Sequence, residues 1–197
     1  TQCLDETKQI NDITVLREDE KNRILCDFNE TSAEYPKDKC IHELFEEQVE
    51  RTPEKVALVA VDKKLTYKEL NEDANRIANA LLEKGIGKGD IVGLMLPRKS
   101  YLLSALFGIL KTGALAVPLN YRYTAEEIKY CLKLSDSDVL VFGPEFTGRV
   151  EEICSRVKRV KMWIYHGEDC PTFAESYDSL VSYCSSKTPQ IEVSSQP

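Results

Sequence analysis

The junction Leu110-Lys111-Thr112-Gly113-Ala114-Leu115-Ala116-Val117-Pro118-Leu119-Asn120 constrains what this chain can fold into more than any other stretch. An apolar segment of helical length, residues 101–111, runs into Gly113 and is followed at once by an apolar run of strand length. Gly113 suits the position just past a helix end, where the backbone turns left-handed and a Cβ would clash. Pro118 donates nothing to a sheet ladder, so it belongs near the end of its strand. A helix feeding directly into a buried strand is half of an α/β unit.

The same alternation repeats from residue 56 onward. Apolar runs of strand length occupy residues 56–61, 91–96, 114–119, 139–142 and 160–165, the last closing the pattern. Helical periodicity marks residues 67–84, with Leu70, Ala74, Ile77, Ala78 and Leu81 on one face, and residues 124–134, with a further helix near Val150. Residues 101–111 are apolar nearly all round, as in a helix enclosed by neighbours. Asp62-Lys63-Lys64 reads as a hairpin turn. The expected fold class is α/β, a largely parallel sheet with helices on both faces.

Before this block, residues 39–51 read as a helix with Ile41, Leu44, Phe45, Gln48 and Val49 inward and Glu43, Glu46, Glu47 and Glu50 outward. Residues 1–37 are polar, with one amphipathic stretch at 18–28 and a turn-rich connector at 29–36. They read as a mostly extended or helical linker arm. Residues 38–184 form the main domain, and 185–197, too polar to build a core, a flexible tail. Thr1 in place of an initiator methionine reads as a chain processed or cut from something longer.

A net charge of −7 argues against a general nucleic-acid binder, which carries a basic face. The basic residues Arg156, Lys158, Arg159 and Lys161 alternate with Val157 and Val160 in the manner of a solvated strand edge. Seven scattered cysteines form no C-x-x-C pair, and only His42 and His166 are available to complete a metal site, so free thiols in a reducing cytoplasm are expected. No signal peptide is present, and no apolar run reaches the roughly 20 residues that span a bilayer.

Two pairs have the spacing of a helix capping box, in which each side chain takes up a backbone N–H the helix leaves free. They are Thr66 with Glu69 and Thr124 with Glu127; Leu65 and Leu70 add a hydrophobic staple around the first. Gly85-Ile86-Gly87-Lys88-Gly89-Asp90 lacks the P-loop pattern and follows a helix, so it reads as a helix stop and turn. His42 and His166 read as structural, and Asp136 and Asp138 as turn and cap residues. No catalytic, cofactor-binding or metal-ligating residue is assigned. The residues singled out, Thr66, Glu69, Gly113, Pro118, Thr124 and Glu127, carry structural motifs.

Residues 65–70 and 110–120 resemble, in order and separation, the first two core motifs of the adenylate-forming enzymes, above all the adenylation domains of nonribosomal peptide synthetases. Residues 16–29, Tyr35-Pro36 and 41–53 are similar to the linker between a condensation and an adenylation domain. Asn120-Tyr121-Arg122 departs from the usual aspartate followed by Tyr-Pro, and residues 118–127 are closer to acyl-CoA synthetases of the same superfamily. The resemblance implies a parent that uses ATP and Mg²⁺ to activate an amino or other carboxylic acid and loads a carrier-bound phosphopantetheine. It also implies as partners the rest of the adenylation domain, an upstream condensation domain and a carrier protein; from the charge and the lack of a long apolar run, neither nucleic acid nor membrane is expected. The family's Ser/Thr/Gly-rich phosphate loop and later motifs do not occur in these 197 residues, so the chain alone is expected to be inactive. Two other readings of the residues are a non-catalytic module that binds a synthetase partner and, from the alternation alone, a flavodoxin-like nucleotide binder.

Overall fold

The structure, a computed structural model, describes residues 16–191 and residue 193, in two compact units, Thr1–Lys37 and Asp38–Pro197. In the first unit, α1 (Glu18–Leu25) opens on Glu18, Asp19 and Glu20, whose charges suit a helix N-terminus. The Asn29 amide closes its other end by donating to the carbonyls of Ile24 and Leu25 at 2.9 and 3.0 Å.

The second unit begins with α2 (Ile41–Arg51), a hairpin of β1 (Val56–Val59) and β2 (Lys64–Thr66), and α3 (Tyr67–Glu83). There follow β3 (Ile91–Met95), α4 (Ser100–Lys111), β4 (Leu115–Pro118), α5 (Ala125–Leu134), β5 (Val139–Phe142), α6 (Thr147–Cys154), β6 (Met162–Tyr165), β7 (Glu175–Ser176) and α7 (Tyr177–Val181). Strands β3 to β7 form one five-stranded sheet in the order β4-β3-β5-β6-β7, parallel at every pairing.

The period-2 geometry of the strands divides the core between the two faces. Val92, Leu94, Val139, Val141 and Ile164 point to one side, where Ile77 and Leu81 of α3 and Ala105 and Ile109 of α4 cover them. Met95, Leu140, Phe142, Trp163 and Tyr165 point to the other, under Ile128 and Leu132 of α5 and Val150 and Ile153 of α6. A fully buried Val, Leu, Ile, Phe or Met side chain is worth about 1.5–3 kcal/mol of transfer free energy, and a one-residue slip of β5 would exchange Val139 and Val141 with Leu140 and Phe142 between the two faces and misfit both. A third cluster joins Phe45 of α2, Leu65 of β2 and Leu70 of α3.

Residues 67–84 and 124–134 lie on helices α3 and α5, and every residue from Tyr101 to Lys111 is buried or half-buried. The sequence expectation differs from the structure at three places. On α2 the inward stripe is His42 and Phe45; Ile41 is 70% exposed and Leu44 is exposed, while Glu46, expected outside, turns toward Lys111. The helix rotates this way because Phe45 stacks on Phe107 of α4, with ring centroids 4.1 Å apart. The basic residues 156–161 form a loop rather than a strand edge: Val157 and Val160 are buried under α6, and Arg159 and Lys161 pair with Asp138. Finally, β6 does not close the sheet, since Glu175 and Ser176 of β7 pair with Ile164 and Tyr165. Two polar residues at an edge carry no strand signature.

Candidate functional site

In an open parallel sheet, ligands are taken up beyond the carboxyl ends of the strands, where successive connections leave in opposite directions. Here that point lies at β3, because β4 flanks it on one side and β5 on the other. The chain leaves β3 through Leu96-Pro97-Arg98, β4 through residues 119–123, and β5 through Gly143 and the Pro144–Phe146 turn. Two cavities open between these loops, of about 390 and 370 Å³, and Leu96, Arg98 and Tyr121 line both. Leu94, Leu102, Pro118, Leu119, Asn120 and Arg122 complete one, and Pro97, Glu145, Phe146 and Arg149 the other.

The walls are held by backbone and guanidinium hydrogen bonds. The Leu119 N–H donates to the Leu94 carbonyl at 2.8 Å and the Gly143 N–H to the Met95 carbonyl at 3.2 Å, so the ladder continues one residue past the strands. Arg149 of α6 donates through Nη1 to the carbonyls of Tyr121 and Tyr123 at 3.0 and 2.6 Å, and its guanidinium lies over the Phe146 ring. It thereby fastens the loop after β4 to the turn after β5. Asn120 closes that loop by accepting from the Arg122 N–H at 3.0 Å, and Arg122 Nε donates to the Tyr121 hydroxyl at 2.9 Å.

Arg98 is exposed and has neither a hydrogen-bond nor an ion-pair partner among the described residues. A free guanidinium above a floor of Leu94, Leu96 and Leu119 can receive an anionic group on an otherwise apolar ligand. No group of three or more histidine, cysteine, aspartate or glutamate side chains among the described residues comes together to hold a metal ion. The crevice therefore does not fit a metal–triphosphate on its own: among the described residues it offers one free cation and no carboxylate cluster.

The residues singled out in the sequence are spread over the unit. The Thr66 Oγ1 accepts from the Glu69 N–H at 3.2 Å, and the Glu69 carboxylate accepts from the Thr66 N–H at 2.8 Å. Thr124 and Glu127 repeat the arrangement at 3.4 and 2.8 Å. The Thr66 and Thr124 donors hold the Glu69 and Glu127 carboxyls below the usual range. Gly113 has φ +78°, and Pro118 is the last residue of the edge strand β4. Of these six, Pro118 alone lines the crevice. Asp136 sits in the turn before β5 with φ +53°. Asp138 is a buried carboxylate that accepts from the Ile91 N–H at 3.2 Å; burial opposes its ionisation, but Lys161, that N–H and Arg159 outweigh burial and hold it below the usual range.

Several working residues carry no local signature. The Asp62 carboxylate, in the β1–β2 hairpin, accepts from the Ser100 N–H at 3.1 Å and from its hydroxyl at 2.5 Å, capping α4 from 38 residues away. His166 lies against Tyr101, with ring centroids 3.7 Å apart, and edge-on to Tyr177, and burial lowers its pKa. At the opposite end of α4, Lys111 is buried and ion-paired with Glu46 beside a cavity of about 570 Å³ that His42 and Lys88 also line. Burial pushes the pKa of both Lys111 and His42 down. The six described cysteines are all free thiols, and no described helix is long and apolar enough to cross a membrane.

The family model for AMP-binding enzymes matches residues 45–196. The chain is 45% identical over 136 residues to bacitracin synthase 3 of Bacillus licheniformis, covering 69% of this chain and 2% of that one. It is 39% identical over 179 residues to a mycosubtilin synthase of Bacillus subtilis, covering 88% of this chain and 6% of that one. The chain thus spans only a small part of the length of these synthases. Its fold matches that of an anthranilate CoA ligase solved with anthranoyl-AMP, with a TM-score of 0.76 at 24% identity, over 81% of this chain and 31% of that chain. The chain belongs to the AMP-binding enzyme family.

Proposed function

We propose that this chain is the N-terminal portion of an adenylation domain in a peptide synthetase, preceded by the linker from a condensation domain. The parent activates an amino acid, or another carboxylic acid, with ATP and Mg²⁺, releases pyrophosphate and transfers the acyl group to the phosphopantetheine thiol of a carrier protein. The observation that carries this reading is the match to peptide synthases over most of the chain, joined to the position of Pro118 and Asn120 in the wall of the switch-point crevice.

Within that reaction these residues supply a frame. Arg149 fixes the loop after β4, and Arg98 presents a positive charge at the mouth of the crevice. Charge developing on a transferring phosphate requires several preorganised donors and cations, and a single free guanidinium falls short of that. Residues outside this chain would provide the rest. Amino-acid-dependent ATP–pyrophosphate exchange tests the reading. The chain alone gives none, whereas the same polypeptide extended through the full domain does; exchange by the chain alone would overturn the division of labour.

A second reading, an acyl-CoA ligase-like parent, rests on Asn120-Tyr121-Arg122, which line the crevice where the peptide synthetase pattern has Asp and then Tyr-Pro. A panel of amino, aryl and fatty acids in the same exchange assay separates the two.

A further inference from the structure

Asn71, Asn75 and Asn79 recur every fourth residue along α3, a spacing that lines them up on one side of a helix. Asn75 is 2% exposed, yet its Nδ2 donates to the carbonyl of Ser186 at 2.8 Å. Asn79 donates to the carbonyls of Ser185 and Lys187 at 2.7 and 3.0 Å. Two side-chain amides thus hold three successive main-chain carbonyls, a contact that uses no side chain of the held segment. The Oδ1 atoms of Asn71 and Asn75 are buried and have no partner among the described residues. Burying such groups costs free energy, so this side of α3 is not built for packing alone.

Beyond Lys187 the chain becomes one wall of the 570 Å³ cavity. Thr188, Pro189, Ile191 and Val193 face His42, Glu46, Lys88 and Lys111 across it. A Val193 methyl would lie 3.6 Å from a Cβ placed on Gly113. The segment therefore runs from α3 to the junction where α4 hands over to β4.

We propose that Asn75 and Asn79 clamp the main chain of residues 185–187 onto α3, and that this clamp seats residues 188–191 and 193 as a strap along the cavity, which limits the access of water to the buried Lys111 and His42. The strap is held by its backbone at one end and covers charge at the other. Its polar composition is then no obstacle to a fixed position, because the clamp reads carbonyls.

The test compares the full 197-residue chain with N79A and N79D. Asn79 is half-exposed on a helix, where alanine is favoured, so the helix survives N79A. N79D keeps the shape but turns an oxygen toward two carbonyls. Trypsin reports the clamp through the Lys187–Thr188 bond. Losing two hydrogen bonds raises cleavage there by about tenfold in N79A, and by at least as much in N79D. The only two histidines report the strap by NMR titration. Burial lowers His42, Lys111 lowers it further, and Glu46 and Glu43 oppose them. Releasing the strap lets water in and moves His42 up toward the ordinary histidine value, while His166, against Tyr101 at the other end of α4, stays in place. Unchanged cleavage after Lys187 would overturn the clamp. Faster cleavage with His42 unmoved would overturn the strap, and a parallel shift of His166 would reduce the effect to general loosening and overturn both.

Discussion

The Lys111 ammonium, with its side chain 1% exposed at the end of α4, is paired with the carboxylate of Glu46 on α2, which retains 26% exposure. The two partners are therefore not equivalent. Removing Glu46 strands a buried cation, whereas removing Lys111 leaves a carboxylate that water still reaches. Glu46→Ala is expected to lower stability by about 3 kcal/mol, and Lys111→Met by less than about 1 kcal/mol. Urea unfolding of both variants checks the order, and equal losses would show that the pair is not desolvated as described.

The bond from Asp62 to Ser100 ties the β1–β2 hairpin to the N-terminus of α4. Asp62→Ala is expected to cost about 1 kcal/mol, the loss of a helix cap. Burial opposes the Asp62 charge, but the Ser100 donors outweigh it and the carboxyl lies below its usual range. The cap's contribution is thus present above the unfolded value and disappears as pH falls through the folded one. Chemical denaturation at about pH 7 and about pH 3 should show a smaller Asp62→Ala deficit at the second than at the first.

Helices α3 and α4 approach closely at Gly108, where an added Cβ would lie 2.7 Å from Ile77 Cβ and 3.0 Å from the Ala74 carbonyl oxygen. Alanine is the better helix former by about 1 kcal/mol. Overpacking against backbone outweighs this, and Gly108→Ala is expected to destabilise by about 2 kcal/mol net. A thermal melt that rises in Gly108→Ala would show that the helices separate at little cost.

Both histidines are held below the ordinary histidine value by burial. Between their folded values and the unfolded one near about 6.5, the unfolded chain binds more protons, so stability rises with pH across that window. Acidifying from about pH 7.5 to about 5.5 is expected to weaken the fold. His166→Phe, which keeps a ring against Tyr101, should reduce that slope. Denaturant midpoints across this range decide it; an unchanged slope would place the pH dependence elsewhere.

Local interactions are legible in the sequence. The partners of the Thr66–Glu69 and Thr124–Glu127 boxes lie three residues apart, the Gly113 turn follows directly from the helix before it, and the strand runs are read from four to six consecutive side chains. The helical stripe of α3 is equally plain, because its apolar residues recur every three to four positions. The sequence alone therefore determined the class of fold, the order of its main elements and the family resemblance.

Contacts between distant segments are not legible there, and they build the crevice and its supports. The orientation of α2 depends on Phe107, which rotates Phe45 inward and carries Glu46 to Lys111. Arg149, read in sequence, is one more charge on a helix; only the folding of α6 beside the loop after β4 turns it into the staple of that loop. Asp62 caps a helix 38 residues away, and Asn75 and Asn79 hold carbonyls more than 100 residues away. Propensity and periodicity report what a residue does to its own turn or strand. Which charges meet, which are left free like Arg98, and which lose their water like Lys111 are decided by packing, since burial and partner distance arise only once the chain has closed on itself.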